Sequence, residues 1–213
     1  MTVAIFDLDG TIADSIADLG NAVDHGLEVL GFPTHTETEY KKFVGNGAMK
    51  LCERALPEGH KERAAELHAL FKEYYSTHLL DNTTAYDGIN ETMKKLSDNG
   101  VILAVATNKP EDAARKIIAK LLPDIRFASI LGGVDCRPKK PDPAIIKAIL
   151  SAVPDTDKVW MIGDSNVDVR TGKNAGISVI GCLWGFRGRE ELEREGADFI
   201  AEKPEDIADI ILG

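Results

Sequence analysis

Little in this chain invites thiol, disulfide or zinc chemistry. Only three cysteines occur in 213 residues, at Cys52, Cys136 and Cys182. They are widely spaced and form no C-x-x-C pair, which excludes a disulfide framework and a thiolate zinc site and implies three buried, reduced thiols. None has Arg six positions later, so the C-x5-R loop of cysteine-dependent phosphatases is missing. All five histidines (His25, His35, His60, His68 and His78) precede residue 80, and none lies in an Arg-His-Gly run, which leaves phosphohistidine chemistry unsupported. A surplus of positive charge is lacking too. With 25 Lys and Arg against 35 Asp and Glu, the net charge of −10 argues against nucleic acid or an anionic membrane as partner. Any anionic substrate must then be met by local cations. No apolar run approaches the roughly 18 residues of a membrane span, and the stretch Thr2 to Phe6 has no basic region before it, so the expected location is the cytoplasm. Neither G-x-G-x-x-G nor G-x-x-x-x-G-K-[ST] occurs, which disfavours dinucleotide and nucleoside-triphosphate binding.

What is present reads as an ordinary globular chain, with 44% apolar and 28% charged residues. Its length can bury one large core or a medium core carrying an insert. Thr2 to Phe6 is a short apolar run ending abruptly in carboxylates, as a buried strand does when it opens onto a loop. Ile16, Leu19, Val23, Leu27 and Leu30 then recur at three or four residues, predicting a helix that Gly31-Phe32-Pro33 stops and that Ser15 with Asp18 begins as a capping box. More helix and no strand is expected to about residue 80. Beyond Tyr86-Asp87-Gly88 the pattern alternates: helix 89–99, strand 101–106, helix 111–122, strand 127–131, helix 143–152, strand 158–162, helix 167–175, strand 177–182. Strands alternating with helices imply right-handed crossovers, hence an α/β fold with a doubly wound parallel sheet. The helical block is an insert after the first strand, giving a core of residues 1–14 and 83–213 and a helical unit of 15–82.

Ligands of open α/β sheets bind beyond the carboxyl ends of the strands, and four of those ends carry polar clusters. They are Asp7-Leu8-Asp9-Gly10-Thr11, Thr107-Asn108-Lys109-Pro110, Lys139-Lys140-Pro141-Asp142-Pro143 and Gly163-Asp164-Ser165-Asn166-Val167-Asp168. Asp7 and Asp9 alternate along an extended chain, so they face one site only if the backbone turns at Gly10. Converging carboxylates repel, and a hard divalent cation such as Mg²⁺ resolves this with oxygen ligands. Asp164 is the better metal ligand of its cluster, because Ser165 and Asp168 also fit a capping box. Thr107 and Asn108, ahead of Pro110, read by themselves as helix-start residues, yet a hydroxyl, an amide and free backbone N–H groups there also make a phosphate cradle. Lys140, held before Pro141, is favoured over Lys139 as the cation that balances the site. Asp142-Pro143 fits an N-cap with Pro at the first helical position.

At these clusters the sequence resembles the haloacid dehalogenase-like hydrolases, through Asp7-x-Asp9-Gly10-Thr11, Thr107-Asn108, Lys140-Pro141 and Gly163-Asp164-Ser165-x-x-Asp168. The resemblance implies that residues 15–82 form an α-helical cap and that the activity is Mg²⁺-dependent phosphomonoester hydrolysis. It further implies that Asp7 attacks phosphorus to give an aspartyl-phosphate, that Asp9 is the acid and base, and that Thr107, Asn108 and Lys140 bind phosphate oxygens. The metal ligands implied are Asp7, the Asp9 carbonyl and Asp164, with Asp168 among them or directly behind. The cap segment Phe43-Val44-Gly45-Asn46-Gly47-Ala48, with Arg54-Ala55-Leu56 after it, resembles the substrate loop of bacterial phosphoglycolate phosphatases. Gly45, Asn46 and Gly47 become candidate substrate contacts, since glycine lets backbone approach a small ligand; Lys50 or Arg54 is the candidate for a substrate carboxylate.

The expected partner is thus a small anionic phosphate ester, and the sequence leaves oligomeric state open. Pyrophosphate, nucleotides and sugar phosphates remain alternative substrates, as does the reaction of a β-phosphoglucomutase-like mutase, which keeps both aspartates. A dehalogenase or phosphonate hydrolase is disfavoured, because both depart at the Asp9 position. A receiver-like signalling domain also combines a phosphorylated Asp, a Thr and a Lys around Mg²⁺, but it lacks the long insert and the D-x-D pair.

Overall fold

The computed structural model describes residues 1–153 and 155–213. Its first strand, β1 (Thr2–Phe6), is the buried apolar run expected and lies inside a six-stranded sheet. Two residues, Ala13–Asp14, form β2, and the helical block follows as α1 (Ile16–Leu30), α2 (Glu37–Phe43), α3 (Ala48–Ala55) and, after a short 3₁₀ turn, α4 (Ala64–His78). The chain continues through β3 (Thr84–Ala85), α5 (Ile89–Asp98), β4 (Ile102–Pro110), α6 (Glu111–Leu121), β5 (Ser129–Gly133), α7 (Ala144–Ser151), β6 (Lys158–Gly163), α8 (Asn166–Ala175) and β7 (Ser178–Cys182). It ends with α9 (Arg189–Arg194), β8 (Phe199–Ala201) and α10 (Pro204–Leu212).

The large sheet runs β5-β4-β1-β6-β7-β8, and every pairing within it is parallel. Strand side chains alternate between two cores. Ala4, Phe6, Leu103, Val105, Trp160 and Ile162 face the side covered by α5, α6 and α10. Val3, Ile5, Ala104, Ala106 and Met161 face the side covered by α7, α8 and α9. This is the doubly wound arrangement that the alternating pattern predicts: each strand is apolar on both faces because both are covered. Strand order reverses across β1, which has β4 on one side and β6 on the other. A crevice therefore opens at the carboxyl end of β1, where Asp7 follows.

Helices α1 and α4 pack along one another, and Gly26 is what lets them come close: a Cβ there would stand 2.6 Å from Leu67 Cδ1. Where the chain leaves and re-enters the sheet region, β2 and β3 pair antiparallel, Ala13 with Ala85 and Asp14 with Thr84. Two residues per strand give no periodicity to read, so this ribbon was invisible in the sequence. The capping box expected of Ser15 and Asp18 does not form. Ser15 Oγ instead donates to Asp9 Oδ1 at 2.6 Å, while the Asp18 carboxylate accepts the N–H groups of Asn82 and Thr83 and the Thr83 hydroxyl. Ser15 turns back to the preceding loop and Asp18 reaches across to residues some sixty positions on, and these bonds outcompete the local one.

Two other expectations change. Strand β4 runs on to Pro110 with a register shift after Ala106, so Thr107 and Asn108 end a strand and Pro110 precedes α6 as its cap residue. Cys136 is exposed in the turn after β5, whereas Cys52 and Cys182 are buried as anticipated. Burial pushes the Cys52 thiol up to about 12. The pattern beyond residue 182, with a three-residue strand and a six-residue helix, is too short to read from periodicity.

Candidate active site

The turn after β1 does what the Asp7/Asp9 spacing required. Leu8 O accepts the N–H groups of Thr11, Ile12 and Ala13, and Gly10 takes φ 85°, a left-handed conformation suited to glycine. A Cβ at Gly10 would also stand 2.4 Å from Asp164 Oδ2, so the turn has to be bare there for β1 and β6 to bring their carboxylates together. Asp7 and Asp9 both line a cavity of about 190 Å³ at the carboxyl end of the sheet. Thr107, Asn108, Lys109 and Asp164 line it from the sheet side, and Gly45, Gly47, Leu51, Phe71 and Tyr75 from the helical block.

Below the cavity, Asp7, Asp164 and Asp168 bring carboxylate oxygens within 4.8 Å of one another, all three buried. The buried Lys140 lies between two of them, its Nζ 2.9 Å from Asp7 Oδ1 and 2.6 Å from Asp168 Oδ1. Only the contact to Asp168 is angled as a hydrogen bond, so Asp7 Oδ1 is a buried carboxylate oxygen that receives no hydrogen bond. Asp168 is fully engaged: its Oδ2 accepts the Ser165 N–H and hydroxyl in the capping box of α8. Asp164 is held by the Thr11 hydroxyl at 3.2 Å and the Phe186 N–H at 2.7 Å.

Charge in this cluster is unbalanced. Burial and the neighbouring Asp168 carboxylate push the Asp7 carboxyl up to about 7. Burial, Asp168 and Asp7 also raise Asp164 well above the ordinary carboxylate range. For Lys140, burial works against the charge, yet Asp168 and Asp7 more than offset it and hold the ammonium above its usual range. Three buried carboxylates against one buried ammonium, with an unbonded oxygen on Asp7, form a donor set of hard oxygens that suits a divalent cation. Asp9 contributes no side-chain oxygen to this set. Its Oδ1 turns to Lys109 Nζ at 2.9 Å and Ser15 Oγ at 2.6 Å.

The other expected residues divide. Thr107 lines the cavity, its Oγ1 accepting the Lys109 N–H. Asn108 has spent its side chain: Nδ2 donates to Gly45 O and to Lys140 O, and Oδ1 accepts the Lys140 N–H. Asn108 lines the cavity, and both its N–H donors are engaged in tying Lys140 to the glycine loop. Gly45 and Gly47 reach the cavity, but Asn46 does not; its Oδ1 accepts from Arg54 Nη2, while Arg54 Nη1 donates to Phe43 O. Arg54 thus braces the loop, and Lys50 pairs with Glu53 on the surface. Lys139 Nζ lies 3.0 Å from where a Cβ on Gly47 would be, above rather than within the carboxylate cluster.

Sequence reading passed over Lys109 and Arg187. Lys109 stood in a quoted cluster, but nothing local reveals that its charge meets Asp9 a hundred positions away. Arg187 follows β7, a strand end whose Trp184-Gly185-Phe186-Arg187 run was the available signal. Its Nη2 donates to Lys42 O and Val44 O, a second tie between sheet and helical block.

The profile of the haloacid dehalogenase-like hydrolase family matches residues 4–182. A phosphoglycolate phosphatase of Vibrio vulnificus is 33% identical, the match covering 97% of this chain and 94% of that protein. One of Aquifex aeolicus is 31% identical over 99% and 97%. Among solved structures, a candidate phosphoglycolate phosphatase of Lactobacillus delbrueckii subsp. bulgaricus superposes with a TM-score of 0.91 at 32% identity, covering 99% of this chain and 98% of that one.

Proposed function

The chain belongs to the haloacid dehalogenase-like hydrolases, and from that membership we propose that it is a phosphatase acting on 2-phosphoglycolate through an aspartyl-phosphate on Asp7. The observation that carries the reading is the place of Asp7, which lines the cavity at the sheet's crossover point with Lys140 Nζ 2.9 Å from its carboxylate and Asp164 and Asp168 beside it. Asp7 attacks phosphorus, and Asp9 protonates the departing oxygen and then takes a proton from the water that frees phosphate. Thr107 and Lys140 meet the phosphate oxygens, and Asn108 fixes Lys140 for that task. Residues 15–82 act as a cap, with Gly45 and Gly47 closing the substrate in. A Mg²⁺ ion held by Asp7, Asp164 and the Asp9 carbonyl, with Asp168 behind them, would neutralise charge on the transferring phosphoryl group.

Two features favour a small, doubly anionic substrate. The cavity is smaller than the roughly 300–1,000 Å³ of drug-sized pockets. Lys72, Lys116 and Arg187 line it on a chain that is otherwise strongly acidic. A phosphate-release screen over 2-phosphoglycolate, pyrophosphate, nucleotides and sugar phosphates is expected to place 2-phosphoglycolate first in kcat/KM. A higher value for any of the others would reassign the substrate, and conversion of glucose 1-phosphate to its isomer would make the protein a mutase.

The metal has its own test. An Asp7 carboxyl pushed up to about 7 when folded, against an ordinary value of 3.8, keeps its proton to higher pH in the folded chain. The Asp7 contribution to metal-free stability should therefore fall as pH rises from about 4 to about 7, and the raised Asp164 carboxyl adds a loss of the same sign. Mg²⁺ binds the ionised form, so its stabilisation runs the other way. At a concentration about 100 times its dissociation constant it adds about 2.7 kcal/mol, which in a chain of this size is about 5–10 °C in Tm. Thermal unfolding in EDTA and in MgCl₂ should show that increment at pH 8 and much less at pH 5.5. Equal increments would remove Asp7 from the metal's ligands.

A further inference from the structure

Lys109 is the buried charge that the chemistry above leaves without a task. It stands next to last in β4, after Thr107 and Asn108, and all three are buried although they are consecutive polar residues. Its Nζ lies 2.9 Å from Asp9 Oδ1, the same oxygen that accepts Ser15 Oγ, and stands 4.9 Å over the ring of Tyr75 on α4. Tyr75 itself has a buried hydroxyl with no hydrogen-bond partner, and it lines the cavity with Asp9 and Lys109.

Such a pair is a poor device for stability alone. Desolvating two charges offsets much of their attraction, and apolar residues of the same volume often serve as well. Its place in the cavity wall points to chemistry instead. Both bonds to Asp9 fall on Oδ1, so among the described residues Oδ2 is the oxygen left without a donor. We propose that Lys109 is a positioning residue that, with Ser15, turns Asp9 so that Oδ2 alone presents its proton to the leaving-group oxygen, with Tyr75 completing the setting from the helical block. This rests on the acid role given to Asp9. As Asp7 bonds to phosphorus, the P–O bond breaks, its electron pair goes to the leaving oxygen, and that oxygen takes the proton from Oδ2. The carboxylate that remains on Asp9 already faces the Lys109 ammonium.

The test uses leaving groups. Acetyl phosphate is small and expels a carboxylate that needs no proton; ethyl phosphate and 2-phosphoglycolate expel alkoxides that do. In Lys109→Met, kcat/KM, which reports steps through the first phosphoryl transfer, is expected to fall about 10- to 100-fold more for both alkyl esters than for acetyl phosphate. Activity on acetyl phosphate in the same preparation establishes that the variant is folded, and Lys109→Gln serves as a second variant. Equal losses on all three substrates, or no loss, would overturn the proposal. A loss confined to 2-phosphoglycolate would overturn it too, by making Lys109 a ligand of the substrate carboxylate. Asp9→Asn separates the two layers. If it shows the alkyl-selective loss and Lys109→Met does not, the positioning role alone fails; if Asp9→Asn lacks it, the acid role fails and takes the proposal with it.

Discussion

Asp7→Asn is expected to lower kcat by about 10⁴-fold or more, the scale on which removing a covalent nucleophile acts, while raising the melting temperature of the metal-free protein. The amide fills the same volume but cannot attack phosphorus, so neither turnover nor a trapped phospho-enzyme should be seen. The stability gain follows from the charges. Above pH 7 the parent holds three buried carboxylates around one ammonium, and Asp7 ionises there only against burial and the Asp168 charge. A neutral side chain removes that opposition, and Lys140 keeps its 2.6 Å bond to Asp168. A gain of about 1–3 kcal/mol at pH 8 in EDTA is the right order for a carboxyl raised this far. The two readouts together are discriminating, because a misfolded variant would lose activity and melt earlier. Residual turnover within tenfold of the parent would remove Asp7 as nucleophile. A lower melting temperature would contradict the account of crowded charge.

How much of this was legible beforehand depends on how local each signal is. The sheet was readable because parallel strands covered on both faces are apolar runs, and α1 because its apolar residues recur at helical spacing up to Gly31. The four strand-end clusters were readable for a similar reason: polar residues that interrupt such runs stand out. That Asp7, Lys140, Asp164 and Asp168 would meet followed from their places at strand ends of one sheet. What stayed hidden was pairing between side chains of different elements. Ser15 and Asp18 matched a local capping box, and only the folded chain offers Ser15 the Asp9 carboxylate and Asp18 the backbone of Asn82 and Thr83. Asn46 looked like a substrate contact because it sits between two glycines, but Arg54 claims it. Nothing local marks Lys109, whose meaning lies in Asp9 and Tyr75 on two other parts of the chain.

Lys140 invites the complementary experiment. Where Asp7→Asn removes a surplus charge, Lys140→Met removes the ammonium that opposes it, leaving Asp7, Asp164 and Asp168 buried together without that cation. Breaking a buried pair from one side costs about 3–5 kcal/mol, and losing a cation aimed at the phosphoryl oxygens should lower kcat by a further factor of about 10²–10³. Methionine keeps the length of the stem, so packing against the Asn108-held backbone is largely retained. If the destabilisation is electrostatic, it has two remedies. Mg²⁺ should recover more stability in Lys140→Met than in the parent, because the cluster then has more uncompensated charge to offer it. The double variant Lys140→Met/Asp168→Asn should melt closer to the parent than Lys140→Met does, since an asparagine at 168 carries no charge and can still accept the Ser165 N–H. Activity should not return with either remedy, because neither restores the ammonium that stands beside Asp7 to meet the phosphate. A double variant no more stable than Lys140→Met would show that the lysine matters for its packing, and restored turnover would show that it never touched the phosphoryl group.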